Sequence, residues 1–265
     1  MPVIKGLGWT FDTVASGYDK MRPGYVDALY EAIFGYKPLD ASSCALEVGI
    51  GAGQATQPVL RTGCRVTAVE PGGNFSALCR EKFRDYPGFS VITGKFEEVE
   101  LERDVYDLVY SASAFHWVPE EVGYNGVYAI LKKGGAFARF ANHPHPDKGR
   151  PALNEEIQAL YDRYYYPFHN KKRTLLTEYG EEEAKSRAMI AQKYGFSDIR
   201  WALFYRTRNF TASEYIALLG TYSDHIAMEQ TVREAFYTGI EDAINRHGGE
   251  ITIYDTIDLQ LARKP

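Results

Sequence analysis

Short apolar runs alternate with longer amphipathic stretches over residues 1–140 of the chain. Runs typical of buried strands occur at 45–48, 65–69, 89–92, 106–110 and 135–140. Stretches suited to helices occupy 25–34, 74–83 and 121–131. Strands and helices that alternate in this way predict a parallel sheet with helices on both faces.

The pattern changes after residue 142. The segment HPHPDKGRP (143–151) has two His-Pro dipeptides and a glycine, which predict a loop. Residues 152–194 then have the pattern of helices, and a strand pattern returns at 199–210. A helical stretch at 211–246 and a strand at 251–261 end the chain. We therefore expect three parts: a core (1–142), a helical cap insertion (143–195) and a C-terminal part (196–265) that completes the sheet.

Composition and charge narrow the classes of protein. The chain has 265 residues, of which 45% are hydrophobic and 25% charged, as expected for a globular protein. A net charge of −5 excludes the basic surface with which proteins bind nucleic acid or anionic membranes. The N-terminal residues lack a signal-peptide pattern, and no apolar run is long enough to span a bilayer. We expect a soluble cytoplasmic protein whose partner is a small molecule.

The three cysteines, Cys44, Cys64 and Cys79, form no Cys-x-x-Cys pair. Their odd number and spacing predict neither a disulfide framework nor a zinc site. His143 and His145, two residues apart in a proline-rich segment, lack carboxylate or cysteine partners nearby. We therefore expect no metal site.

The sharpest local feature is a glycine turn, with Gly49, Gly51 and Gly53 between a strand and a helix. Glycines let a ligand approach the backbone, and the start of a helix offers free N–H groups. The dinucleotide fingerprint would need a glycine at 54, where this chain has Gln54. Glu70 ends the next strand, where an acidic side chain accepts hydrogen bonds from ribose hydroxyls. The pattern indicates a ligand with a ribose and makes a pyrophosphate less favoured.

Five segments together resemble, in the correct order, the motifs of class I S-adenosylmethionine-dependent methyltransferases. They are LEVGIGAGQAT (46–56), VEP (69–71), TGKFEEVEL (93–101), YDLVYSASAFHWV (106–118) and LKKGGAFARF (131–140). YDKMRPGYVDALY (18–30) resembles the N-terminal segment of the small-molecule branch near trans-aconitate and quinone-biosynthesis methyltransferases. The resemblance covers most of residues 11–140.

This resemblance implies an α/β fold: a doubly wound, mostly parallel, seven-stranded Rossmann-like sheet with a helical cap insertion. It also implies an enzyme that uses S-adenosyl-L-methionine, releases S-adenosyl-L-homocysteine and methylates a small molecule, a carboxylic acid being one candidate. Two alternatives stay open: an NAD(P)-dependent oxidoreductase, which Gln54 argues against, and a protein that binds S-adenosylmethionine without turnover. A nucleic-acid methyltransferase is not expected, because SASAFHW (111–117) replaces the Asp/Asn-Pro-Pro-Tyr/Phe segment.

The resemblance also implies roles for individual residues. Those expected to bind the cofactor are Tyr18, Arg22, Glu47, Gly49, Gly51, Gly53, Glu70, Pro71, Phe96, Glu97 and Ser111. Glu70 would bind the ribose, Glu47 would orient the amino end, and Arg22 would meet the carboxylate. Arg22 as a surface residue and Phe96 as a core residue are the alternatives.

Methyl transfer needs binding and alignment above all, and a general base only when the nucleophile carries a proton. His116 follows the fourth strand, so it is the candidate catalytic residue; a structural histidine in the loop is the alternative. Trp117 and His143 are the candidates for binding the substrate. Core packing is the competing explanation for Trp117.

Overall fold

The computed structural model describes Arg22, residues 24–173 and residues 177–265. In this part of the chain, seven strands form one sheet in the order β3-β2-β1-β4-β5-β7-β6. The strands are β1 (Cys44–Val48), β2 (Arg65–Glu70), β3 (Phe89–Thr93), β4 (Tyr106–Ala112), β5 (Leu131–Pro146), β6 (Ser197–Thr211) and β7 (Glu250–Arg263). Strands β1 to β5 are parallel to one another, and β7 runs antiparallel between β5 and β6. The mostly parallel, doubly wound sheet expected from the sequence is confirmed.

The α-helices are α1 (Asp27–Tyr36), α2 (Thr56–Leu60), α3 (Gly73–Lys82), α4 (Glu120–Ile130), α5 (Pro151–Leu160), α6 (Tyr166–Phe168), α7 (Glu181–Met189), α8 (Ala212–Leu219), α9 (Ser223–Ile226) and α10 (Gln230–Arg246). Short 3₁₀ turns lie at Phe115–Trp117 and Ile190–Tyr194, and a π-helical turn at Tyr161–Tyr165. Within the described ranges, none of these helices combines the length and apolarity needed to cross a membrane.

Both faces of the sheet are buried, as the alternation of its side chains requires. Neighbouring residues of β4, Leu108 and Val109, are both fully buried but belong to two different hydrophobic clusters. Leu108 packs in the cluster that contains Leu29 and Ile33 of α1, and Val109 packs with Val127 of α4. Because successive side chains of a strand point to opposite faces, helices must cover both sides.

Strand β5 is longer than the sequence pattern predicts, and the predicted loop at 143–151 is wrong for its first four residues. His143 pairs with Thr256 and Pro146 with Ile253 in the antiparallel ladder with β7. Strand β4 has already ended at Ala112, so this end of β5 has a strand on one side only. Pro144 and Pro146 are two residues apart, so both missing N–H groups fall on the same, unpaired side, where prolines are tolerated.

The helical layer beyond the sheet is built from two separate segments of the chain. Leu153 and Ile157 of α5 pack in one buried cluster with Phe236 and Ile240 of α10. Helix α7, by contrast, lies against β6 and β7. This helical layer, called the cap below, contains helices from 151–168 and from 212–246, whereas the sequence pattern predicts a helical cap insertion at 143–195. The boundary proposed at 142 falls inside β5, and the division into three parts stays a prediction.

Candidate functional site

A cavity of about 370 Å³ opens at the carboxyl ends of the parallel strands. It lies where the strand order reverses, between β1 and β4, which is where doubly wound sheets bind their ligands. The residues proposed from the sequence that line it are Arg22, Glu47, Gly49, Gly51, Glu70, Pro71, Phe96, Glu97 and Trp117. The structure thus brings together most of the residues that the sequence singled out.

The three glycines of the turn have positive φ angles of 75°, 54° and 76° at Gly49, Gly51 and Gly53. A Cβ atom on Gly49 would lie 2.4 Å from Cβ of Ala114, and one on Gly53 would lie 2.5 Å from the ring of Phe83. At Gly51 a Cβ would meet no atom of the described chain within 4 Å. Gly49 and Gly53 are therefore required by packing, whereas Gly51 leaves the backbone open toward the cavity.

Glu70 joins the end of β2 to the glycine turn. Its carboxylate accepts hydrogen bonds from the backbone N–H groups of Gly51 and Gly72, both at 2.9 Å. The side chain is buried but lines the cavity. A carboxylate oxygen can accept more than one hydrogen bond, so a carboxylate that lines the cavity is suited to hydroxyl donors of a ligand.

Glu47 is fully buried at the end of β1. Its Oε2 accepts hydrogen bonds from Thr56 Oγ1 at 2.7 Å and Tyr110 OH at 2.8 Å. Burial raises the pKa of this carboxyl to about 8, against the effect of the two hydrogen bonds and with a further increase from the charge of Glu70. A cationic group in the cavity would favour its ionised form.

Three buried polar atoms of the cavity wall lack a hydrogen-bond partner among the described residues. They are Glu47 Oε1, Gln54 Nε2 and Asn142 Oδ1. Buried polar groups are nearly always paired in native proteins, so unpaired ones in a cavity indicate a polar ligand. The set offers two acceptors and one donor.

The loops that follow β2 and β3 supply another part of the cavity wall. Pro71, Phe96 and Glu97 line this side of the cavity. Phe96 is only 8% exposed and belongs to a hydrophobic cluster with Val69. The side chain therefore takes part both in the core and in the cavity wall, so the two sequence interpretations of Phe96 are compatible.

The structure does not bring every candidate to the cavity. Tyr18 lies outside the described residues. Gly53 packs behind the turn, and the buried Ser111 donates a 2.8 Å hydrogen bond to Val48 O. His116 is exposed, with its ring against Trp117, and within the described chain the cavity lining includes Trp117 but not His116. The 3₁₀ turn at 115–117 therefore presents the tryptophan, and not the histidine, to the cavity.

His143 also lies away from the described cavity wall. Its Nε2 is 3.0 Å from Asp258 Oδ1, and its ring stacks on Tyr179 with centroids 3.7 Å apart. Because His143 lies in β5 and not in a loop, its side chain points to the opposite face from that of Asn142. Asn142 lines the cavity in its place.

Several cavity residues were not identified from the sequence, chiefly Tyr25, Asn142, Arg206 and Arg208. Tyr25 OH lies 2.9 Å from Ser113 Oγ. The two arginines are two residues apart on the predicted strand at 199–210, so the pattern could have shown that they share a face. In the described part of the chain, no group of three or more His, Cys, Asp or Glu side chains is arranged to hold a metal ion.

The fold and the cavity define a Rossmann-like α/β protein with a candidate ligand site at the switch point of its sheet. A model of the methyltransferase domain family matches residues 46–138. An uncharacterised methyltransferase from Geobacillus sp. (strain WCH70) is 30% identical over 164 residues, which cover 59% of this chain and 75% of that protein. Another from Schizosaccharomyces pombe is 22% identical over 239 residues, covering 90% of this chain and 88% of that protein.

Among solved structures, phosphoethanolamine N-methyltransferase 2 of Haemonchus contortus, in complex with phosphomonomethylethanolamine and S-adenosylhomocysteine, has the same fold. It is 18% identical, with a TM-score of 0.55, and the alignment covers 96% of this chain but 57% of that one. The chain belongs to the class I S-adenosylmethionine-dependent methyltransferases, and its cofactor is S-adenosyl-L-methionine. This membership leaves the NAD(P)-dependent alternative without support.

Proposed function

We propose that this enzyme transfers a methyl group from S-adenosyl-L-methionine to a small molecule that binds in the same cavity. One observation carries the proposal. The cavity reaches from the glycine turn and Glu70 to Asn142 on β5 and to Arg206 and Arg208 on β6. Its volume, about 370 Å³, is in the range of small-molecule sites. We call the part at the glycine turn and Glu70 the first end, and the part at Asn142, Arg206 and Arg208 the second end. A protein that only binds the cofactor would not need the polar side chains of the second end.

The described residues at the first end fit the groups of the cofactor. Glu47 Oε1, buried and unpaired, would accept from the cofactor's amino group. Glu70 would accept from the ribose hydroxyls, and Pro71 and Phe96 would contact the adenine. Gly51 would let the backbone approach the ligand closely, because no described atom occupies the space beside it.

When bound, the cofactor would supply a methyl group activated by a positively charged sulfur, and this sulfur would be a leaving group that keeps the bonding electron pair. The chain's own residues hold the two partners in line and exclude water. No histidine is among the described residues that line the cavity. An acceptor that needs no base, such as a carboxylate, suits this lining, and a catalytic role for His116 stays a prediction.

Calorimetric titration of the purified protein with S-adenosylmethionine, S-adenosylhomocysteine and NADH tests the proposal. Both sulfur nucleosides should bind saturably. Glu70→Ala should weaken their binding by about tenfold or more, since the ribose loses a charged acceptor. The matched control is Glu234→Ala, at an exposed glutamate of α10, which should leave binding unchanged.

Circular dichroism would check that Glu70→Ala is folded. Release of S-adenosylhomocysteine in the presence of a panel of small acids, amines and alcohols would then identify the acceptor. Binding of NADH alone, or binding of the sulfur nucleosides without any accepted small molecule, would contradict the proposed function.

A further inference from the structure

Two arginines and one aspartate form a charged cluster at the second end of the cavity. Arg206 and Arg208 lie on the same face of β6, and Asp255 of β7 pairs directly with Arg206 in the ladder. The side chains of Arg206 and Arg208 are 19% and 11% exposed, and that of Asp255 is fully buried. Strand β6 is parallel to β5, so its carboxyl end brings both arginines to the edge of the sheet where the cavity lies.

Asp255 is surrounded by hydrogen-bond donors. Its Oδ2 accepts from Arg206 Nε at 3.1 Å and Nη2 at 2.9 Å, and from Arg208 Nε at 2.6 Å. Its Oδ1 accepts from Arg208 Nη2 at 2.8 Å and Asn142 Nδ2 at 2.9 Å. Burial opposes ionisation, but the bonds from Arg208, Asn142 and Arg206 outweigh it and lower the pKa of Asp255. One negative charge therefore faces two positive charges.

The two arginines differ in how many of their guanidinium nitrogens donate hydrogen bonds to the described residues. Arg206 Nη1 donates to Gly24 O at 2.5 Å, so all three nitrogens of this guanidinium are engaged. Arg208 Nη1 makes no hydrogen bond to the described residues, and this side chain lines the cavity. Asn142 Nδ2 is fixed by Asp255, which leaves the buried Asn142 Oδ1 free to accept. Among the described residues, the cluster thus has a guanidinium nitrogen and an amide oxygen without partners, on two side chains that both donate to Asp255 Oδ1.

A second arginine is not needed to neutralise Asp255. A guanidinium nitrogen that has no hydrogen bond to the described residues, on a side chain that lines the cavity, can donate to an anion bound there. Guanidinium groups match carboxylates and phosphates in geometry. The carboxylates that line the cavity are Glu47 and Glu70, at the carboxyl ends of β1 and β2, and Glu97 in the loop after β3, so an anion is favoured at the β6 end.

We propose that Arg208 anchors an anionic group of the methyl acceptor, which is a carboxylate or a phosphate monoester. Asp255 and Arg206 position the guanidinium group of Arg208. The inference rests on the proposed function, because it assigns the second end of the cavity to the acceptor. It adds that neutral analogues of the acceptor bind weakly, and that a hydroxyl or N–H of the acceptor donates to Asn142 Oδ1.

Nuclear magnetic resonance of the arginine Nε–H groups tests this on the protein loaded with S-adenosylhomocysteine. Acetate and inorganic phosphate are titrated at constant ionic strength, with acetamide as the neutral probe. We expect saturable shifts of the Arg206 and Arg208 signals with acetate, phosphate or both, and none with acetamide. Acetate alone would assign a carboxylate acceptor, and phosphate alone a phosphate monoester.

Arg208→Gln should weaken anion binding, followed at the Arg206 signal, by about tenfold or more. The control is Arg200→Gln on the same strand, an exposed arginine bound to Asp198 at 3.0 Å, which should change nothing. An equal response in Arg208→Gln and wild type, or to acetamide and acetate, overturns the proposal. If S-adenosylhomocysteine itself does not bind, the proposed function fails; if it binds and the anions do not, this inference alone fails.

Asp255→Asn is the second variant, in case Arg208→Gln does not fold. It keeps the shape of the side chain and removes the negative charge that competes for the arginines. Acetate or phosphate should then bind at least about threefold more tightly. Unchanged binding in this variant would show that the cluster serves only to hold β6 against β7.

Discussion

At the scale of single residues, Glu47 makes the stability of the free protein depend on pH. Burial raises its pKa from 4.5 to about 8, so the folded state favours the neutral carboxyl. The contribution of Glu47 to the free energy of unfolding is fully present below the unfolded pKa of 4.5 and is lost as the pH rises to about 8. At about 1.4 kcal/mol for each unit of pKa shift, the loss is on the order of a few kcal/mol.

Urea unfolding across this pH range would measure the effect. The free energy of unfolding of the wild type should fall with rising pH relative to that of Glu47→Gln. The glutamine keeps an oxygen that accepts from Thr56 and Tyr110 but cannot ionise. Parallel pH profiles for the two proteins would mean that Glu47 is already ionised in the free enzyme.

At the scale of elements, two glycines of the turn should differ in the effect of their substitution: one mainly on stability, the other mainly on ligand binding. Gly53→Ala places a Cβ 2.5 Å from the ring of Phe83 in an unfavourable φ region, so it should cost about 2–4 kcal/mol of stability. Gly51→Ala causes no clash with described atoms and should cost about 1–2 kcal/mol. It should nevertheless weaken binding of S-adenosylmethionine by about tenfold, because the new methyl group faces the ligand.

Gly134→Ala is the matched control for Gly51→Ala. Gly134 also has a positive φ, 74°, and open space for a Cβ, but it lies at the start of β5 away from the cavity. It should lose similar stability in urea titrations and keep full affinity for the cofactor. If both variants bind S-adenosylmethionine like the wild type, Gly51 does not contact it.

At the scale of the whole molecule, the cap links two segments that are distant in the chain. Phe236 of α10 is fully buried and meets the ring of Tyr161 with centroids 4.9 Å apart. Phe236→Ala should cost about 3–5 kcal/mol, because it leaves a cavity in the shared cluster. The control, Phe168→Ala, alters a side chain that is 42% exposed and should cost much less.

Hydrogen exchange would show whether the cap behaves as one unit. In Phe236→Ala, amides of α5 and α10 should lose protection together and by a similar factor, while those of β1 and β4 change less. Loss of protection confined to α10 would indicate that the two segments unfold independently.

The sequence by itself determined the features that depend on residues close together in the chain. The order of strands and helices over residues 24–140 follows from the spacing of apolar positions, and the glycine turn from backbone angles that other residues avoid. Glu70 could be placed near Gly51 because one helix and one strand separate them in a parallel unit. These local rules predicted the parallel α/β sheet and the proximity of Glu70 to the glycine turn, whereas the cofactor roles came from the family resemblance and stay predictions.

The tertiary structure alone decided the features that depend on pairing between distant strands. The ladder with β7 extends β5 through Pro144 and Pro146, and this extension turns Asn142, and not His143, toward the cavity. Arg206 and Arg208 meet Asp255 only because β6 and β7 pair in one register. Register fixes which face each side chain occupies, and it is set by contacts between residues that are far apart in the chain.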